Sequence, residues 1–209
     1  MVSLCICFPG GTFVTTRHGV KQLDELLQGE EVLTLTKQSQ KWTQFYTWGH
    51  IQRDLIAEFV QVKVKGGKEL QISEEHLLFV EGKNGKRVAK NAGRVVIGDK
   101  LYYFDEDSQC TELLAVEEIG KVQAKGVYAP FTMNGDFLAN RFAVSCYANV
   151  SNCKVAHAAL SPLRTWYKVR PEKEDLLSKE GIHSYAEKLM KFRELITTSP
   201  FARKVVTNK

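Results

Sequence analysis

The feature that most limits what this chain can fold into is a repeat. Gly29-Glu30-Glu31-Val32-Leu33 is matched by Gly98-Asp99-Lys100-Leu101-Tyr102, and each copy leads into a hairpin signal and a terminal apolar run. The first copy closes over residues 58–80 with a turn at Gly66-Gly67. The second closes over 126–148 with a turn at Asn134-Gly135, a dipeptide that favours tight hairpins. Two copies of a roughly 70-residue β unit imply a mainly β, pseudo-twofold fold. Short apolar runs between turn residues support strands at 12–16, 31–36, 59–65, 69–72, 77–80, 101–104, 113–119, 126–132 and 137–147. Residues 20–27 read as a short helical turn, with Leu23, Leu26 and Leu27 on one side.

Beyond Cys153 the pattern changes to helix. Ser161-Pro162 places a capping side chain before a proline at the first helical position. A second helix is expected over 172–197, where Ile182, Tyr185, Leu189, Phe192 and Ile196 recur at steps of three and four and Pro200 ends the stripe. The reading is therefore a residual segment 1–6, a β domain 7–153 and a helical tail 154–209. The tail holds 12 Lys and Arg against 6 Asp and Glu, a surplus of 6 that exceeds the chain's net charge of +5, and the first 153 residues are short by 1. A basic amphipathic tail suits an anionic membrane surface, or simply a solvated face packed on the β domain. No nucleic-acid motif accompanies it. No apolar run reaches the ~20 residues that span a bilayer, and residues 1–6 are too few for a secretory signal. The chain is thus expected to be cytosolic or a piece of a longer secreted precursor. Asn149-Val150-Ser151 fits a glycosylation acceptor, which matters only in the secretory pathway.

Five cysteines occur, at 5, 7, 110, 146 and 153, with no C-x-x-C pair. A zinc or thioredoxin-type centre is therefore not expected, nor is any cofactor. Cys7 opens Cys7-Phe8-Pro9-Gly10-Gly11, where proline and two glycines forbid the helix N-terminus that activates papain-like thiols. Ser73-Glu74-Glu75-His76 sets a hydroxyl and an imidazole three residues apart before the run Leu77-Leu78-Phe79-Val80. An imidazole can protonate a departing amide nitrogen, and a hydroxyl can hold that amide. Alone, each is a structural cysteine or histidine.

Together, Cys7-Phe8-Pro9-Gly10, the repeated glycine–acid strands, Ser73-x-x-His76-Leu77-Leu78-Phe79-Val80, Tyr128-Ala129-Pro130 and Ser145-Cys146-Tyr147-Ala148 follow the order of hedgehog C-terminal (Hog) domains. The resemblance covers roughly residues 7–153, and the tail is most similar to those of nematode hedgehog-related proteins. It implies a Hint fold, a flat β-disk shared with inteins. It also implies a two-step reaction in cis. Cys7 attacks the carbonyl of Ile6, giving a thioester, and the hydroxyl of a sterol or other lipid alcohol then takes over the acyl group.

In this resemblance Cys7 matches the nucleophile, His76 the histidine that protonates the leaving nitrogen, and Ser73 the usual threonine. Cys146 matches a cysteine lying near the nucleophile. His50 stands where the family has the aspartate that activates the alcohol, with Asp54 as the alternative, and Ile6 where it has glycine. The family implies a monomer acting in the endoplasmic reticulum lumen or outside the cell. Splicing of the intein type is not expected, because neither the Ser145-Cys146 strand nor the chain end shows the Asn followed by Cys, Ser or Thr that reaction needs. The competing readings are a degenerate Hog domain that binds a lipid or membrane, and a conventional cysteine hydrolase.

Overall fold

The computed structural model describes residues 7–36, 39–148, 153–169, 180–185, 187 and 188. Its frame is a pair of very long antiparallel strands, β4 (Gln40–Val64) and β9 (Cys110–Thr132), joined along most of their length. In the second half of β4, Val60, Val62 and Val64 alternate inward with the more exposed Gln61 and Lys63, the period of two that a strand with one buried face requires. The ladder shifts register at several points. Between Gln52 and Ile56, four steps on β4 oppose two on β9 (Val127 to Lys125), so Arg53–Ile56 swing into solvent and the pair coils sharply.

Around this axis lie β1 (Phe13–Thr16), β2 (Gly19–Gln22), β3 (Glu31–Leu35), β5 (Lys68–Ile72), β6 (His76–Glu81), β7 (Arg87–Asn91), β8 (Lys100–Asp105), β10 (Asp136–Ala139), β11 (Phe142–Ala148) and the two-residue β12 (Gly181–Ile182). The order is β10-β11-β6-β8-β9-β4-β3-β1-β2, with β5 and β12 also on β4 and β7 also on β6.

The twofold relation is visible bond by bond, at a shift of 69 positions. A 3-10 turn at Leu23–Glu25 buries Leu23 and Leu26, and one at Ala92–Arg94 buries Ala92 and Val95. Leu27 N–H donates to Glu30, and Val96 N–H to Asp99. Lys21 pairs with Glu30 at 2.8 Å, and Lys90 with Asp99 at 2.6 Å. Gly29 and Gly98 share φ near +92° and +93°, and their N–H groups reach Phe45 O and Val116 O respectively. The expected helical turn within 20–27 is thus the 3-10 turn, preceded by β2.

Two of these expectations change. The run 137–147 is not one strand. It folds on itself at Asn140-Arg141, both at positive φ, into the β10–β11 hairpin. Asn134-Gly135 does turn, with Gly135 N–H bonded to Thr132 O, but it joins β9 to β10, which do not pair with each other. The Gly66-Gly67 hairpin forms as expected between β4 and β5.

The helix starting at Ser161-Pro162 is present as α2 (Ser161–Val169), after α1 (Cys153–Ala159). Leu163 and Tyr167, one helical turn apart, face inward, and the Tyr167 ring meets that of Tyr46 at 5.9 Å. Most of the expected helix 172–197 lies outside the described residues, as do residues 1–6 and Asn149–Ser151. Where it is described it is corrected. Gly181 and Ile182 are extended and pair with Ile51 and His50, and only from Ser184 does the chain turn helical. The gap in the side of β4 between β3 and β5 captures them, because exposed strand edges demand partners.

Candidate active site

Cys7 is fully buried, beside Phe59, Val127 and Ala129. Its position is set by main chain. Phe8 and Tyr128 exchange two N–H to O bonds of 2.9 Å, and Ser73 N–H donates to Cys7 O at 2.9 Å. The Cys7 N–H donates in turn to Ser73 Oγ at 2.8 Å. Residues 73–76 form a tight turn, closed by His76 N–H to Ser73 O at 3.0 Å. The S-x-x-H spacing therefore places the hydroxyl on the cysteine's amide and starts β6 at the histidine.

His76 is completely buried, its ring 4.4 Å from that of Phe8. Its Nε2 lies 2.7 Å from Ser145 O. A carbonyl only accepts, so this assigns the ring proton to Nε2. Nδ1 then carries a bare lone pair, and it has no hydrogen-bond partner. Burial pushes the His76 pKa down to about 4, with the Ser145 bond opposing. Leaving a buried acceptor unpaired costs about 1–3 kcal/mol, and what results is a neutral base with a strong conjugate acid.

That shift has a measurable consequence for stability. The imidazole titrates near 6.5 when unfolded and near 4 when folded, so the unfolded chain binds the proton first. The His76 contribution is whole above pH 6.5 and drains away as pH falls to about 4, a loss of about 3 kcal/mol. Urea unfolding at pH 7 and pH 4.5 should show a smaller acid-induced loss in His76→Phe than in the parent. Equal losses in the two proteins would contradict the depressed pKa.

His50 Nδ1 lies 3.3 Å from Cys7 Sγ. Burial lowers its pKa, while a hydrogen bond with Gln52 and the charge of Glu180 work against the shift. It arrives there through a bulge: Trp48 opposes Pro130 and His50 opposes Ala129, so Gly49 is the extra residue. A Cβ on Gly49 would fall 2.5 Å from the Phe131 ring, which requires glycine at this point. Asp54, the alternative to His50, projects from the exposed bulge and pairs with Lys125 at 2.8 Å.

Cys146 is buried in β11 within the main core, its Sγ 3.4 Å from Thr132 Oγ1. Its chain neighbour Ser145 supplies the carbonyl that holds His76. The structure thus sets Ser73 and His50 each in direct contact with Cys7, links His76 to the cysteine through the 73–76 turn and the Phe8 ring, and leaves Asp54 on the exposed bulge. Residue 6 is not described. Sequence reasoning quoted Tyr128 and Ser145 within motifs but missed their roles as backbone clamps, and it missed the tail strand beside His50. None of these acts through a side chain that a motif would display.

Comparison with known proteins follows the geometry. The chain is 30% identical over 177 residues to Warthog protein 4 of Caenorhabditis elegans, covering 79% of this chain and 32% of that protein. It is 31% identical over 208 residues to Protein hedgehog of Drosophila yakuba, covering 91% and 44%. The chain therefore spans less than half the length of the curated relatives it matches. Among solved structures, the TvoVMA intein superposes with a TM-score of 0.57 at 15% identity, covering 70% of this chain and all of that one. A bacterial intein-like domain from Clostridium thermocellum gives 0.54 at 19%, covering 67% and 98%. These two likenesses show the fold, a β architecture in which long paired strands carry the repeat. The family model of the Hint module matches residues 2–198, and the chain belongs to that family.

Proposed function

We propose that this chain cleaves itself between Ile6 and Cys7 through a thioester on Cys7 and hands the upstream acyl group to a lipid alcohol. The observation that carries the reading is the double hold on Cys7. The nitrogen that must leave is bonded to Ser73 Oγ at 2.8 Å, and the sulfur that must attack lies 3.3 Å from His50 Nδ1.

In the first step, Sγ adds to the carbonyl carbon of Ile6 and the C–N bond breaks. The proton that sulfur gives up is the one that nitrogen must gain, and the neutral Nδ1 of His76 is a carrier for it. Its low pKa makes the protonated ring a strong donor to the departing amine. Ser73 fixes the plane of the amide under attack. In the second step, an alcohol oxygen adds to the thioester carbonyl. His50 takes the hydroxyl proton and returns it to Cys7 Sγ as the C–S bond breaks, so no cofactor is required. The incoming hydroxyl is that of a sterol-like lipid, brought from a membrane surface against which the basic tail lies. The setting is the secretory pathway, the working unit is a single chain, and residues 154–209 serve the second nucleophile. Membership in a family that includes hedgehog proteins, and a fold shared with inteins, support self-cleavage.

The test is a fusion with a reporter before Cys7, incubated with dithiothreitol and followed by mass spectrometry. Release of the reporter with a dithiothreitol adduct at its new C-terminus supports the thioester. A stable fusion would favour a lipid-binding module without catalysis. In the same assay, His50→Ala should keep release by dithiothreitol within a few-fold and lose transfer to an alcohol by ~10²-fold or more, the usual worth of a general base. Equal loss of both reactions would instead make His50 a first-step residue.

A further inference from the structure

The tail meets the site at an unexpected place. β4 is flanked by β3 along Gln40–Gln44 and by β5 along Val60–Val64, and between them its edge is open. β12 fills that gap, with Gly181 opposite Ile51 and Ile182 opposite His50. His183 N–H continues the ladder to Gly49 O at 2.9 Å. The bulge residue that brings His50 to the sulfur is thus itself tied to the tail. Further ties surround the same spot. Arg53 pairs with Glu180 at 2.7 Å, Tyr185 N–H bonds to His183 Nδ1 at 3.2 Å, and Tyr185 OH donates to Ala159 O of α1 at 3.2 Å.

Resting on the reaction set out above, we infer that β12 is a positioning clasp for His50, so that the tail controls the base of the second step as well as the lipid. A two-residue strand cannot hold itself in place, and a bulge with a glycine at its crest is the part of β4 least able to hold its own shape. Each supplies what the other lacks. With β12 seated, His50 stays buried against Sγ, ready to accept a proton from whatever hydroxyl attacks. Without it, the edge of β4 at Gly49–Ile51 opens to water and the imidazole is free to leave the sulfur.

The inference makes a distinction that lipid capture alone does not. Water is a hydroxyl nucleophile that needs a base but no binding pocket. Its attack on the thioester puts oxygen on the acyl carbon, passes one proton to His50 Nδ1, and expels Cys7 Sγ, which takes that proton back. If β12 seats the base, spoiling β12 slows hydrolysis of the thioester as well as alcohol transfer. If the tail only binds lipid, hydrolysis is untouched.

The variant that spoils β12 most locally is Gly181→Val. Gly181 has φ of +104° with nothing within 4 Å of an added Cβ, so valine meets backbone strain and no clash. In the reporter fusion of the full chain, with cholesterol in detergent as the lipid probe, three rates are followed for the parent, Gly181→Val and His50→Ala. We expect dithiothreitol release to stay within about threefold in Gly181→Val, while hydrolysis and sterol transfer each fall by ~10²-fold in both variants, the usual range for loss of a general base. The solvent deuterium isotope effect on hydrolysis, carried by proton transfer to His50, should disappear in both. Normal hydrolysis in Gly181→Val with sterol transfer lost would overturn the clasp and leave a binding role. Equal loss of all three rates would overturn it in favour of a structural role. Failure of the parent to release its reporter with dithiothreitol would refute the proposed reaction itself. Local adjustment can absorb a valine, so His183→Pro, which deletes the N–H bonded to Gly49 O, is measured alongside. Parent-like hydrolysis in both variants overturns the clasp.

Discussion

Replacing Cys7 with alanine should leave no release of an upstream reporter, by dithiothreitol or by alcohol, over times in which the parent reacts to completion. Cys110 is exposed at the start of β9, and Cys146 is turned toward Thr132. Neither is held on the amide that must break. The fold should survive. What anchors this segment is main chain, through the Phe8–Tyr128 pair and Ser73 N–H to Cys7 O, and none of these bonds involves the thiol. Losing a buried sulfur from a small apolar cluster costs about 1 kcal/mol. The check is mass spectrometry of the fusion beside its thermal unfolding. A folded Cys7→Ala chain that still releases its reporter would refute the thioester.

The next largest effect is expected at His76. Removing the proton carrier in His76→Phe, which keeps an aromatic ring against Phe8, should slow dithiothreitol-induced release by ~10²–10⁴-fold. Ser73→Ala should slow it by only about fivefold, the rate equivalent of a hydrogen bond worth about 1 kcal/mol. The order matters more than either figure. If the serine variant is the slower of the two, the hydroxyl and not the imidazole manages the nitrogen. Circular dichroism of both variants separates loss of chemistry from loss of fold, because His76 starts a central strand and its Nε2–H bonds the Ser145 carbonyl.

How much of this was legible beforehand depended on whether the information lay in side chains. The repeat at Gly29 and Gly98 announced the twofold correctly because its glycines and acids perform the same local bonds in each copy. Val60, Val62 and Val64 alternate cleanly and read as strand. The stretch 40–58 did not, although it belongs to the same β4. Its faces change at each bulge, so no single period survives. β7 has a largely exposed edge sequence, Arg87–Asn91, with no apolar rhythm to find. Asn140-Arg141 lacks the glycine that marks most two-residue hairpins, while Asn134-Gly135 has it and turns between unpaired strands. At the site, Cys7, Ser73, His76 and His50 were found as residue types in order. The clamps at Tyr128 and Ser145 are backbone groups that any residue supplies. Ile182 and Tyr185 fit a helical stripe on paper, and only the open edge of β4 reveals that the first of them is extended.

The sequence distances inside the site carry a consequence for timing. Ser73 lies 66 positions from the cysteine whose amide it holds, and Ser145 lies 69 positions from the histidine it holds. Tyr128, which pins Phe8, is further along β9. Contacts of such long range form late, since the chain must close large loops before they stabilise anything. A polypeptide emerging from the ribosome therefore carries its nucleophile well before it can act, and it remains inert until Ser145 has been made and the β4–β9 ladder has closed. Whatever precedes Cys7 has that interval in which to fold while still attached. The tail strand adds a later gate of the same kind. Residues 181–183 are made after the parts that form the thioester, so the acyl link is armed before the group that discharges it is in place.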